Sequence, residues 1–403
     1  MPADPVIAPL GDLTDVLAAI GSRAAEHDRQ ATFPFEAFSA LWSTGALNLT
    51  IPVEHGGHGL GLVPATALVL AVAERDPAVA LPLAQHLMTH RGLAVAPEAW
   101  PADVLRRVRR SSIDGVALIN ALRVEPELGT PARGGLPATT AVRSTNGAGW
   151  LLNGRKIYST GIPMLRWMLV WARSDDTDPL VGSFLVEAGT PGLRVVETWD
   201  SLGMRATRSD DVVFEDAPIP LEHAVDVVPA SELRLTAAQT AFATWNGVLI
   251  GSIYHGVARA ARDWLGRYLN ERVPSNLGAP LASLPRFQES FGRIAAQVEL
   301  GDGLLRDAAA AIDAGGDPAE LAGRANLVKL TVTNAAIDIA LDAVRLVGNP
   351  GLLRTNPLER HLRNVLHGRV HTPQDDTILL ALGRRGLDDA AALSRSSNTP
   401  VIS

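Results

Sequence analysis

The chain has 403 residues, of which 47% are hydrophobic and 20% charged, and it carries a formal net charge of -7. That length allows two or three domains with a large core, and the acidic balance argues against a general nucleic-acid binder. There is no cysteine, which excludes disulfides, thiolate catalysis, Cys-ligated zinc and iron–sulfur clusters.

The opening segment, MPADPVIAPL, has neither a basic start nor a long apolar core, so no signal peptide is expected. No apolar run is long enough to span a bilayer, and the expected location is cytoplasmic. From Thr14 to about Ser111 the apolar residues recur at three and four positions, as in helices. The stretch VPATALVLAVAERDPAVALPLAQHLMTH is apolar almost all round and reads as one buried helix at the centre of its domain. Arg106, Arg107, Arg109 and Arg110 form a basic cluster, read as a solvated helix face.

From about Val116 to Pro220 the pattern changes to short runs rich in Val, Phe and Trp, separated by Gly, Pro and Asp. Asn153-Gly154 between apolar runs is a hairpin signal. From about Ser231 long helical stripes return, and four of them suggest an antiparallel bundle. The expected fold is α+β and multidomain. It has an N-terminal helical domain over residues 1–115, a middle β-sandwich or barrel domain over 116–225, and a C-terminal four-helix bundle over 226–403.

Several sites are excluded by pattern. No phosphate-binding G-x-x-x-x-G-K-[ST] loop, H-E-x-x-H pair or G-x-S-x-G elbow occurs. GGHGLG lies between helices rather than after a strand, so a dinucleotide-binding reading fails on context. His86 and His90 are spaced to share a helix face, but no acidic partner accompanies them and no metal site is expected.

Five stretches in order, from about Ala37 to Arg384, carry a family resemblance. They are PVEHGGHGLG, GWLLNGRKIYSTG, SLGMRATRSDDVVFEDAPIP, YLNERV, and VRLVGNPGLLRTNPLERHLRNV. Together they resemble the acyl-CoA dehydrogenase superfamily of flavoproteins. The resemblance implies a flavin (FAD, or reduced FMN or FAD) lying between the β domain and the bundle. It implies that Tyr158, Ser159 and Thr160 approach the ring, and that Arg272 pairs with a flavin phosphate, often across a subunit boundary. Phe287 and Gln288 would line the adenine end, and Gly348, Asn349 and Gly351 would form a loop close to the cofactor. It also implies a homotetramer, a dimer of dimers. Apart from the resemblance, Arg272 reads first as a cation favoured at a helix C-terminus.

The chain departs from the dehydrogenase pattern where the family's glutamate base stands. One location here reads RVHTPQDD, with His371 or Thr372 at the position; the other reads FATWNGVLIG, with Trp245 and Asn246 there. This points to the dibenzothiophene monooxygenase-like branch, which takes reduced flavin from a separate reductase and reacts it with oxygen through a C4a-hydroperoxide. The small-molecule substrate is not readable. YSTG in place of a Trp-Ile-Thr strand, and INA with Asn120 facing the ring, fit that branch.

On this reading Ser159 donates to the flavin N5 or peroxide region, His371 is a proton donor or base, and His86 faces the substrate. The plainer alternatives are a self-bonded strand hydroxyl, an exposed helix-entry residue and a satisfied core histidine, in that order. A dehydrogenase with a displaced base, and a degenerate ligand-binding member without turnover, are the competing functions. Asp375 and Asp376 read as a helix start.

Overall fold

The computed structural model describes residues 5–128, 135–233 and 237–396; the first four residues of the opening segment therefore lie outside the described residues. Helices α1 (Thr14–Gln30), α2 (Phe35–Ser43), α3 (Leu62–Arg75), α4 (Pro77–Val95) and α5 (Ala102–Asp114) come first. The apolar stretch read as one helix is two. Asp76 leaves helical geometry, and its carboxylate accepts from Ala78 N at 2.9 Å, while Pro77 has no N–H to continue the first ladder. Both helices are buried, as an all-round apolar pattern requires.

Eight strands follow: β1 (Leu118–Leu122), β2 (Thr140–Arg143), β3 (Gly149–Lys156), β4 (Leu165–Ser174), β5 (Leu180–Glu187), β6 (Leu193–Val196), β7 (Asp211–Pro220) and β8 (Ala224–Pro229). They pair in the order β6-β7-β3-β2-β4-β5-β8, with β1 parallel to β4. Asn153-Gly154 is not a hairpin turn. Strand β3 runs through it, and Gly154 takes φ +146° at a bulge against β7, a region open to glycine. The turn between β2 and β3 instead sits at Asn146-Gly147, where Asn146 Oδ1 accepts from Ala148 N at 3.0 Å.

Helices α6 (Ala237–Glu271), α7 (Pro285–Ala314), α8 (Pro318–Val347), α9 (Leu358–Val365) and α10 (Asp375–Ser396) complete the chain. Helices α6 and α8 run parallel: Gly247 abuts Ala325, and one turn on Gly251 abuts Lys329. One apolar core joins the N-terminal helices, the sheet and the bundle. The basic cluster on α5 is only partly a solvated face. Arg109 is buried and donates to Leu93 O at 3.0 Å, and Arg107 covers the Trp167 ring and bonds His223. None of the described helices is long and apolar enough to cross a membrane.

Candidate active site

The end of β3 is pinned before it reaches the site. Lys156 is fully buried and bonds Glu125 at 2.6 Å; burial lowers its pKa to about 8 against the pull of that carboxylate. Beyond it Tyr158 adopts a left-handed φ of 57° and turns the chain, so that Ser159 N reaches Asp210 O at 3.2 Å and Gly161 N reaches Thr207 O at 2.9 Å.

The two hydroxyls that follow differ. Thr207 Oγ1 donates to Met204 O at 2.8 Å, so Ser209, 2.9 Å away, must donate to Thr207. Thr160, 2.9 Å from Ser209, must then donate to Ser209. The Thr160 proton is thus committed and its oxygen can only accept from a ligand. Ser159 is fully buried, and its Oγ has no hydrogen-bond partner among the described residues. A buried unpaired hydroxyl costs about 1–3 kcal/mol, so such a group suits a ligand atom. Asn120 is not free to contact a ring. Its amide donates to Gln85 Oε1 at 2.9 Å and Thr160 O at 3.1 Å, and its Oδ1 accepts from Ala121 N at 2.8 Å. It positions the Thr160 backbone.

Across from the sheet, the bundle presents a second cluster. Tyr254 on α6 is fully buried, and its hydroxyl lies 2.7 Å from His371 Nε2. Burial raises the Tyr254 pKa, and it lowers that of His371 to about 3, helped by the nearby Lys329 and His367. Both groups are therefore neutral at physiological pH and share one proton along their bond. Lys329 on α8 is also fully buried. Its ammonium has no hydrogen-bond partner among the described residues and lies 3.9 Å from Asp375 Oδ1. The other Asp375 oxygen is held by Asn334 Nδ2 at 2.9 Å and Arg369 Nε at 3.4 Å. Asp375 begins α10 but also closes this cluster, a role that capping alone does not suggest. Asn246 holds the His371 turn through Thr372 O at 2.7 Å.

The loop between β6 and β7 ties the two clusters together. The Trp199 ring meets Tyr158 at 6.2 Å and His367 at 6.1 Å between centroids. Ser201 Oγ lies 3.1 Å from His367 Nε2, and Asn364 Oδ1 on α9 accepts from Met204 N at 2.7 Å. Gly203 lies so close to α9 that a Cβ there would sit 2.3 Å from Arg363 O. Tyr158, Ser159 and His371 thus belong to one region between sheet and bundle.

The remaining expected residues lie elsewhere. His86 is fully buried; its Nε2 bonds Leu47 O at 3.0 Å and its Nδ1 accepts from Ile119 N at 3.3 Å. Neither nitrogen is free for a ligand, so it is a satisfied core histidine, held neutral by burial with a pKa of about 4. Arg272 is exposed just past the end of α6, about 18 residues and so roughly 27 Å of helix from Tyr254. Phe287 is buried at the start of α7 beneath the Arg286 guanidinium, and exposed Gln288 bonds Ala282 O at 2.9 Å. Gly348 and Asn349 are exposed and Gly351 buried at the far end of α8. Because α6 and α8 are parallel, these six residues form a distal set at one end of the bundle.

Sequence reasoning passed over Tyr254, Lys329, Trp199 and His367. Lys329 had a signal: a charge inside the apolar stripe of NLVKLTV. Tyr254 had none, since an aromatic in such a stripe reads as core.

Three domain profiles match the chain: acyl-CoA dehydrogenase N-terminal domain over residues 16–97, middle domain over 124–217 and C-terminal domain over 235–387. The putative acyl-CoA dehydrogenase YdbM of Bacillus subtilis (strain 168) is 33% identical over 91% of this chain and 93% of its own. L-evernosamine nitrososynthase of Micromonospora sp. is 31% identical over 90% and 85%. The structure of KijD3 in complex with FMN and dTDP-3-amino-2,3,6-trideoxy-4-keto-3-methyl-D-glucose superposes with a TM-score of 0.81 at 30% identity, covering 96% of this chain and 95% of KijD3.

Proposed function

The chain belongs to the acyl-CoA dehydrogenase superfamily of flavin oxidoreductases, and from that premise we propose that it is a monooxygenase acting with reduced flavin and dioxygen on a small organic substrate. The observation that carries this reading is the placing of His371, with its Nε2 bonded to the buried Tyr254 hydroxyl at 2.7 Å where a dehydrogenase would need a strong base. A dehydrogenase must take a weakly acidic C–H proton, which needs a base whose pKa is near the working pH. With a pKa near 3, His371 is a poor base. As a neutral ring bonded to a neutral tyrosine it is well suited to orient and donate a hydrogen bond in a water-poor pocket. The likeness to a nitrososynthase, named for installing an oxidised nitrogen group, supports the same reading.

The residues fit a flavin. The unpaired Ser159 hydroxyl offers a donor and the Thr160 oxygen an acceptor on the ring's polar edge, with Tyr158 and Trp199 alongside. Reduced flavin supplies the two electrons that divide dioxygen between substrate and water. Tyr254 bonds His371 Nε2, Asn246 holds the turn on which His371 sits, and the nearby Lys329 charge helps to keep the ring neutral. The distal set, with Arg272 toward a flavin phosphate, lies too far from Ser159 and His371 to join the ring set within one chain. It serves the cofactor of a second copy, in a dimer or a dimer of dimers. A separate reductase supplies the reduced FMN or FAD.

Anaerobic titration with reduced FMN or FAD, followed by mixing with oxygen under absorbance detection, tests the proposal. Binding of reduced flavin with delayed reoxidation is expected. Protein isolated yellow, with tightly held FAD bleached by an acyl-CoA, would overturn it in favour of a dehydrogenase. No flavin binding in either redox state would leave a degenerate member. His371→Ala with unaltered oxygen chemistry and turnover would remove the role given to that residue.

A further inference from the structure

A cleft of about 200 Å³ opens beside the candidate site, lined by Asp28, Arg29, Leu202, Arg205, Arg354 and Arg363. Four arginines and one aspartate thus line a space smaller than the pockets of drug-sized ligands. Two of the arginines are fixed. Arg363 makes paired bonds to Asp28 at 3.1 and 2.6 Å and is held on its other side by Glu359 at 2.7 Å. Arg205 donates to Asp28 O at 2.9 Å and to Ser201 O at 3.0 Å. Its one carboxylate neighbour, Asp200, is 95% exposed and 3.4 Å away, a contact that solvent weakens. Arg29 and Arg354 are exposed, and no carboxylate among the described residues pairs with either. The wall and floor of the cleft are therefore rigid, and two free forks of N–H donors stand at its rim.

We propose that this cleft binds a phosphoryl group, as a phosphate or diphosphate carried by a small molecule. A guanidinium presents parallel N–H donors that match two phosphate oxygens, and several of them around one small space select for a doubly charged anion over chloride or a carboxylate. Leu202, 61% exposed at the rim, offers an apolar surface to the body that carries the phosphate. The cleft is next to the redox region: Leu202 and Arg205 share the β6–β7 loop with Trp199 and Ser201, which touch His367. The site is distinct from Arg272, which lies at the distal end of the bundle.

Two sources share this chemistry, the tail of a flavin and a phosphorylated substrate. The full chain is titrated calorimetrically with pyrophosphate, FMN, riboflavin and UDP, as wild type and as Arg29→Ala/Arg354→Ala. Neither substituted side chain makes a hydrogen bond or ion pair among the described residues, and circular dichroism checks that the fold persists. Pyrophosphate is expected to bind saturably, more weakly as salt rises, and at least about tenfold more weakly to the double variant. If the same loss appears for FMN but not riboflavin, the flavin tail is the occupant, and the phosphate role given to Arg272 falls. If it appears for UDP while FMN is unaffected, a substrate phosphate is. Absence of saturable pyrophosphate binding, or binding unchanged in the double variant, overturns the proposal. Neither result bears on whether reduced flavin delays oxygen, so this site and the monooxygenase reading fail separately.

Discussion

Lys329→Met is expected to make the protein more stable while impairing it. The ammonium is fully buried, has no hydrogen-bond partner, and stands 3.9 Å from the nearer Asp375 oxygen, at the outer limit of an ion pair. Burial pulls its pKa down, which means that the fold holds the charged form poorly. Methionine keeps the length and flexibility of the stem without the charge. Asp375 Oδ1, which makes no hydrogen bond among the described residues, loses only a weak attraction at 3.9 Å, while Asn334 and Arg369 still hold the other oxygen. A buried ion carries a desolvation cost of several kcal/mol, and the 3.9 Å attraction to Asp375 offsets little of it, so removing the charge gives a net gain of about 1–3 kcal/mol. Lys329→Ala instead leaves a cavity and costs about 2–5 kcal/mol.

The pH dependence gives a second handle on the same residue. A lysine with a lowered folded pKa binds protons more weakly in the fold than in the unfolded chain. Wild-type stability therefore climbs with pH up to about 10.4, the unfolded value. Lys156, lowered to about 8, contributes a similar rise that the variant keeps. The advantage of Lys329→Met is thus largest near neutral pH and narrows in alkali. Urea unfolding midpoints of wild type and variant, followed by tryptophan fluorescence from pH 6 to 10, make the comparison. A variant less stable than wild type at neutral pH, or a difference that does not shrink with pH, would refute the assignment of an unpaired buried charge.

Other changes separate the remaining parts of the site. Ser159→Ala removes an unpaired buried hydroxyl, so thermal unfolding of the free protein should be unchanged or improved by up to about 1 kcal/mol, while calorimetry shows weaker reduced-flavin binding. His86, at about pH 4 in the fold against 6.5 unfolded, contributes stability that is complete above pH 6.5 and lost as pH falls through 4, on the order of 3 kcal/mol. In His86→Gln, the acid limb of a midpoint-against-pH curve should flatten accordingly. Gly203→Ala puts a Cβ 2.3 Å from Arg363 O and should cost about 1–3 kcal/mol, with tryptophan fluorescence shifting as the Trp199 loop lifts from α9.

The order of helices, sheet and bundle was legible because periodicity of 3.6 and 2 survives in a single sequence. Where the reading failed, the deciding interaction was local and chemical. One capping carboxylate, Asp76, divides a stretch whose apolar pattern is continuous. Two Asn-Gly pairs compete for one hairpin, and the sequence around Asn153 hides that Asp216 on the partner strand bonds its side chain at 2.9 Å and holds it in the strand. The site was legible only as segments. His371 was visible as the residue where a glutamate is missing, but its hydrogen bond and its protonation state depend on Tyr254 and Lys329, which lie more than a hundred and more than forty positions away in the chain. His86 and Asn120 were visible as polar residues near the right place. Whether their polar atoms are free depends on backbone groups from other elements, which no spacing rule can supply.

The parallel run of α6 and α8 separates the ring cluster from the distal residues by roughly 27 Å, about the length of the intervening helix. On the reading that each flavin draws on two copies, every chain holds halves of two different catalytic units. Damage is then not additive across a mixed assembly. A hybrid of Ser159→Ala and Arg272→Ala chains would contain some units carrying both lesions and others carrying none. Two impaired parents would yield some fully competent units on subunit exchange, and an Arg272 defect in one copy would reach its neighbour's chemistry rather than its own.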